Sequence, residues 1–173
     1  MKKFFLIVVL FFFSNNSFSK EIVFLDVQFI IDNSEVGKYY KEKILVIEKE
    51  KNINLEIMES KIKEKENEIN KQKNIMSKNE IDKRIADLNK LVKEYKSKRN
   101  ENFKEVLEKK KNYTSKILKI LNPLLTRYVE EKNINLVVEK KNILLGIKTL
   151  DITNDLMKIL NEEVKQKNLL NEN

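Results

Sequence analysis

The sequence predicts an α+β chain that is mostly α: a long antiparallel helical hairpin, a coiled-coil tentacle, projecting from a small β-strand oligomerisation body. Three observations predict it. Leu55, Ile62, Ile69 and Met76 recur every seven residues within a stretch, Lys38 to Met76, that holds neither Pro nor Gly, the mark of a helix with a narrow apolar seam. Ser77-Lys78-Asn79-Glu80 fits the capping box that starts a new helix directly after the first. Short β-branched and aromatic runs stand near the two ends, at 22–27 and 134–148.

The first residues read separately from the fold. Lys2 and Lys3 precede an apolar run from Phe4 to Phe13, and Ser17 and Ser19 put small residues at the −3 and −1 positions before Lys20. That is the layout of a secretory signal peptide, residues 1–19, cleaved after Ser19. Its apolar run is too short for an ordinary transmembrane helix; the alternative is an uncleaved N-terminal anchor. Charged residues make up 36% of the chain, with 2 Gly and 1 Pro, so few turn formers point to few, long elements. The chain has no Cys and no His, which excludes disulfides, thiolate chemistry and imidazole bases and leaves carboxylates as the remaining common metal ligands.

In chain order, Ile22-Val23-Phe24-Leu25-Asp26-Val27 reads as a first strand, Gln28 to Val36 as a short helix or turn, and Gly37 as a break before the first long helix. Met58 joins the seam three residues after Leu55, whereas Lys65 and Gln72 interrupt it. Ile44, Leu45, Val46 and Ile47 suggest a broader apolar face near the base. The returning helix carries Ile81, Ile85, Leu88, Val92, Tyr95, Val106, Tyr113, Ile117, Ile120 and Leu124, interrupted by Arg99 and Asn102. Pro123 is expected to kink it, or to restart it with Asn122 as cap. Residues 134–139 and 143–148, around Lys140-Lys141-Asn142, read as a β-hairpin. A last helix, capped by Asp151 or Thr153, puts Ile152, Leu156, Ile159, Leu160 and Val164 on one face, and the tail from Asn168 is expected to fray. This gives a body of residues 20–37 and 133–173 and an arm of residues 38–132 with its tip near 74–80. Three short strands and one helix bury too little to hold such an arm as a monomer, so the sequence asks for assembly through Ile22, Phe24, Leu25, Val27, Leu136, Val137, Val138, Leu144 and Leu145.

No catalytic constellation is present: there is no P-loop, no Gly-rich nucleotide turn and no HExxH. Glu64, Glu66 and Glu68 fall on charged helix, where solvated surface is the ordinary role of a carboxylate. The expectation is a non-enzyme with no cofactor and no metal. The charge is uneven. Residues 61–99 hold 13 basic and 7 acidic side chains, while the rest of residues 20–173 is balanced.

The order strand, long helical hairpin, β-hairpin, final helix resembles the Skp/OmpH family of periplasmic chaperones. Ile22-Val23-Phe24-Leu25-Asp26-Val27-Gln28 looks like that family's first strand. Asn133-Ile134-Asn135-Leu136-Val137-Val138-Glu139 with Leu150-Asp151-Ile152-Thr153 resembles its later "D-L-V-V-D … D-I-T" stretch. The helical middle matches in pattern alone. The resemblance implies a homotrimer whose strands form a central body with three hairpins hanging from it. It implies ATP-independent holding of unfolded outer-membrane β-barrel proteins in the periplasm. Some members are credited with an anionic-lipid or lipopolysaccharide contact, which assigns no residue here.

On this reading Lys61, Lys63, Lys65, Lys71, Lys73, Lys78, Lys83, Arg84, Lys90 and Lys93 capture clients collectively, by long-range attraction and by laying their methylene stems on apolar segments. Met58, Met76, Ile75 and Ile81 supply adaptable apolar contact, or for the two methionines simply fill the seam. Two other classes compete. A basic coiled coil that binds nucleic acid is opposed by the export signal, so no nucleic acid is expected; an envelope tether would keep residues 4–13 as its anchor.

Overall fold

A computed structural model describes residues 21–170; the expected signal segment lies outside the described residues. The elements are β1 (Glu21–Leu25), α1 (Val27–Asn33), α2 (Glu35–Gln72), α3 (Lys78–Glu131), β2 (Ile134–Glu139) and α4 (Thr153–Gln166), with single 3-10 turns at Lys140–Asn142 and Lys148–Leu150. At 1.5 Å per residue, the 38 residues of α2 extend about 57 Å and the 54 of α3 about 81 Å. The fold is a long helical hairpin on a small strand-bearing body, as the periodicity predicts.

The expected β-hairpin is not formed. β2 pairs in parallel with β1, Ile22 opposite Leu136 and Phe24 opposite Val138. After β2 the chain turns away through Lys140–Asn142, and residues 143–147 form no strand. Gly146 comes so close to the Phe24 ring that a Cβ there would stand 2.8 Å from it. Asp151 then makes a parallel bridge on the free side of β1, where the Ile152 N–H donates to Phe24 O at 3.0 Å. β1 is therefore flanked on both sides by later chain, and the hydrophobic run at 143–148 was a cover for Phe24 rather than a ladder partner.

One face of this sheet carries the core. Val23 and Leu25 turn inward onto Ile30 of α1, Val36 of α2, Leu121 and Leu124 of α3, and Leu156, Leu160 and Val164 of α4, all buried. The body therefore recruits the lower turns of both long helices, and its apolar core is larger than three strands and one helix predict. Burial also explains Pro123. α3 runs through it without restarting, because Leu121 and Leu124 on either side are locked into the core, and that packing outweighs the roughly 3 kcal/mol a mid-helix proline costs.

Gly37 is not a break. Ser34 ends α1 and caps α2 in one residue, its Oγ accepting from the Gly37 N–H at 3.1 Å. Gly37 lies inside the first turn of α2 against the end of α1, where a Cβ would stand 1.9 Å from Ile31 O. Leu45 and Val46, expected on a broad inner face, point outward, and only Ile44 is buried. The cap of α4 also differs: the N-cap position is Ile152, without a side-chain cap bond. Asp151 instead accepts from the Thr153 N–H at 3.0 Å and from the Lys140 ammonium at 2.8 Å, while Thr153 Oγ1 accepts from the Asp26 N–H at 2.9 Å. At the other end Asn168 takes a positive φ of 49°, and the N–H groups of Asn168 and Leu169 bond back to Lys165 O and Val164 O. That is a Schellman closure, and it returns Leu169 and Leu170 to the core rather than leaving residues 168–170 frayed.

Two outcomes follow for the body. In most helices Gly→Ala gains about 1 kcal/mol; here Gly37→Ala should lose about 1–3 kcal/mol through overpacking, read as a lower midpoint in urea. Burial pushes the Asp151 carboxyl up, but the hydrogen bonds from Lys140 and Thr153 outweigh it and hold its pKa below the ordinary value. A depressed carboxylate stabilises the fold above its unfolded pKa and loses that contribution as pH falls through the folded one. Asp151→Asn should therefore lower thermal stability at pH 7, with the gap to wild type closing below about pH 4.

Candidate functional site

The arm leaves the body at Ile44 and Ile117, the outermost buried apolar pair. Beyond them the two helices meet along the predicted seam: Leu55, Met58, Ile62, Ile69 and Met76 face Ile81, Leu88, Val92 and Tyr95, all half-buried. Ile85, expected in the seam, is exposed instead. Lys65 is exposed too, so the zipper is thin where the sequence interrupts it. At the tip both halves of the capping box close: the Glu80 N–H donates to Ser77 Oγ at 3.4 Å, and the Ser77 N–H donates to Glu80 Oε2 at 3.0 Å. The Ser77 hydroxyl, which donates to Glu80 Oε2 at 2.8 Å, and then the Ser77 N–H hold the Glu80 carboxyl below its ordinary pKa. Ile75 stands beside them, 85% exposed.

Interhelical polar contacts concentrate in the inner arm. Tyr40 stacks on Tyr113 with ring centroids 4.3 Å apart, Lys110 meets Glu48 at 2.8 Å and Lys51 meets Glu105 at 2.6 Å. Farther out the Tyr95 hydroxyl donates to Glu59, which raises the Tyr95 pKa above the ordinary phenol value. Among the described residues the ion pairs lie in the body and the inner arm, except Lys98–Glu101, within one turn of α3 just outboard of Asn102. None involves residues 56–97.

The ten basic residues singled out from sequence all lie on that outer arm. Nine are exposed, and Arg84 is half-buried beside the seam. They gather into no single pocket; they are spread along both helices and around the tip. The structure brings them together as one field: hydrated cations, outnumbering the carboxylates around them, on an arm that reaches away from the body.

One apolar feature was missed. Leu45, Phe103 and Leu107 are exposed on one flank of the inner arm. Cavities of about 350, 310 and 370 Å³ follow one another from there into the outer arm, sharing first Glu48 and then Leu55 and Arg99. The i, i+4 spacing of Phe103 and Leu107, off the seam of Val106 and Tyr113, was the available signal. On the body, Ile22 and Leu136 stand side by side on the outer face of the sheet, half uncovered, and Leu144, Leu145 and Ile147 project from the loop that covers Phe24. Of the other expected body residues, Phe24 and Leu25 are buried, and Val27, Val137 and Val138 are half-buried. Among the described residues no helix is long and apolar enough to cross a membrane, and no group of three or more acidic side chains is placed to hold a metal ion.

A crystal structure of an OmpH-like protein from Caulobacter crescentus CB15, named as a candidate outer membrane chaperone, matches with a TM-score of 0.72 at 16% identity, over 83% of this chain and 85% of that one. At that identity the likeness shows a shared fold. No curated protein matches the sequence. The family model described as outer membrane protein (OmpH-like) matches residues 21–160, from β1 through the whole hairpin and β2 into α4. With most of its length inside that match, the chain belongs to the OmpH-like family, the Skp/OmpH family.

Proposed function

We propose that this chain is an ATP-independent periplasmic holdase that captures unfolded outer-membrane β-barrel proteins and keeps them from aggregating on the way to the outer membrane. The observation that carries the reading is the outer arm: a helical hairpin whose cations are hydrated, in excess and, over residues 56–97, free of ion pairs, held far from a compact body. Such a field raises the local concentration of an acidic unfolded chain and its encounter rate without demanding one pose. Lysine stems then lie along apolar segments while their ammonium groups stay in water. Contacts of this kind are individually weak, so a client leaves when a better-packed destination is offered, with no chemical step to drive release.

The body is the proposed trimer joint. Its sheet has one face on the core and the other carrying uncovered Ile22, Leu136, Leu144, Leu145 and Ile147, apolar surface that association of like copies would remove from water. Export by the N-terminal segment 1–19 places the chain where such clients travel.

Light scattering of the mature protein with a urea-unfolded outer-membrane barrel protein tests the reading in one sample: an oligomer that suppresses aggregation is expected, and unchecked precipitation would sink it. Reversing Lys78, Lys83 and Arg84 to Glu removes six units of charge per chain, as many as the excess over residues 61–99. Capture in low salt should slow roughly tenfold, with little difference at 1 M salt where the Debye length is about 3 Å. Val137 pairs with Val23 beside the core; Val137→Asp places a charge there without a partner, and chromatography with light scattering should show loss of the oligomer together with a fall in stability of several kcal/mol.

A further inference from the structure

Outboard of Ile44 and Ile117 the arm fully buries one side chain among the described residues, and it is polar. Asn102 is 6% exposed, and its Nδ2 has no hydrogen-bond partner. A cavity of about 310 Å³ lies against it, between Asn52, Leu55, Arg99 and Phe103. A buried amide donor without a protein partner is costly, and an apolar residue of the same size at that seam position would remove the penalty. The layer is therefore weaker than the seam requires.

Its position divides the arm. On the inner side the helices are tied by the Tyr40–Tyr113 stack and by the Glu48–Lys110 and Lys51–Glu105 ion pairs. On the outer side the Tyr95–Glu59 hydrogen bond and a half-buried seam interrupted at Lys65 are what join them. We infer that the Asn102 layer is the point at which the arm opens. Parting the helices there uncovers little apolar surface and lets the amide regain water, so separation is easier outward from this layer than anywhere inward of it. Resting on the reading of the outer arm as the capture surface, opening lets residues 56–99 spread around clients of different bulk while the inner arm stays closed on the body.

Amide hydrogen exchange of the full mature chain tests this. In wild type, amides of residues 56–99 should exchange at least tenfold faster than those of the inner arm. Asn102→Leu should slow the outer-arm amides about tenfold and leave β1 and α4 unchanged; Asn102→Met, a flexible volume match, replaces it should leucine overpack. Unchanged or faster exchange in a folded variant overturns the proposal and leaves Asn102 a register-setting residue. A second readout uses urea-unfolded barrels of eight and sixteen strands: the stiffened variant should retain protection of the smaller and lose protection of the larger, and equal retention of both overturns the link to client size. If wild type protects neither barrel, the holdase reading fails while the exchange result still decides the opening.

Discussion

The parallel pairing of residue 22 with residue 136 is the constraint on which the rest depends. A parallel pair cannot be closed by a tight turn and needs a crossover, and in this chain the crossover is the entire arm. Both ends of the hairpin are therefore pinned at one place. The lower turns of α2 and α3 must pass the sheet's inner face, which is why Ile44, Ile117, Leu121 and Leu124 are body residues as much as arm residues. A two-stranded sheet is marginal alone; here Asp151 and Ile152 brace β1 on its other side, and α4 closes the core with a stripe at Leu156, Leu160 and Val164.

From that anchor packing thins outward. Near the body, packing is dense and charges are paired; beyond Asn102 the seam is half-buried and the charges are hydrated. The two trends share a cause. A narrow heptad stripe leaves most of each helix surface to charged residues, and when cations exceed carboxylates along a stretch, their mutual repulsion works against closing the helices. The composition that gives the outer arm its positive field also leaves it the most thinly packed part of the hairpin.

What could be read from sequence follows the range of the interaction. The seam and the capping box are local: residues three, four and seven apart meet on one helix, and Ser77 and Glu80 satisfy each other's backbone whatever the rest of the chain does. The β-hairpin reading failed because alternation and turn residues identify a strand and not its partner. The partner of 134–139 lay across the whole arm. Gly37 as a break and Pro123 as a restart were misread for a related reason: propensity rules price an isolated helix, whereas the close approach of Ile31 O and the burial of Leu121 and Leu124 are tertiary facts. The basic excess could be counted, but the absence of ion pairs along 56–97 and the burial of Asn102 depend on the register between two helices, which no single-helix pattern contains.

Apolar exposure completes the picture of a chain that is finished on one side and open on others. Single exposed leucines are ordinary, yet Ile22 and Leu136 are direct neighbours across the ladder, and the loop bearing Leu144, Leu145 and Ile147 lies on the same side of the sheet. That patch sits on the rigid part of the molecule, suited to a permanent joint between copies. The second set is Leu45, Phe103 and Leu107, of which Leu45 and Phe103 line cavities on one flank of the inner arm, next to the Asn102 layer. On the proposed reading a client drawn in by the outer cations would meet this flank next, so charge and apolar contact would fall in sequence along one arm: long-range attraction at the far end, short-range contact nearer the body. The division follows from the reach of the forces themselves, since Coulomb attraction acts over a Debye length and burial acts only at contact.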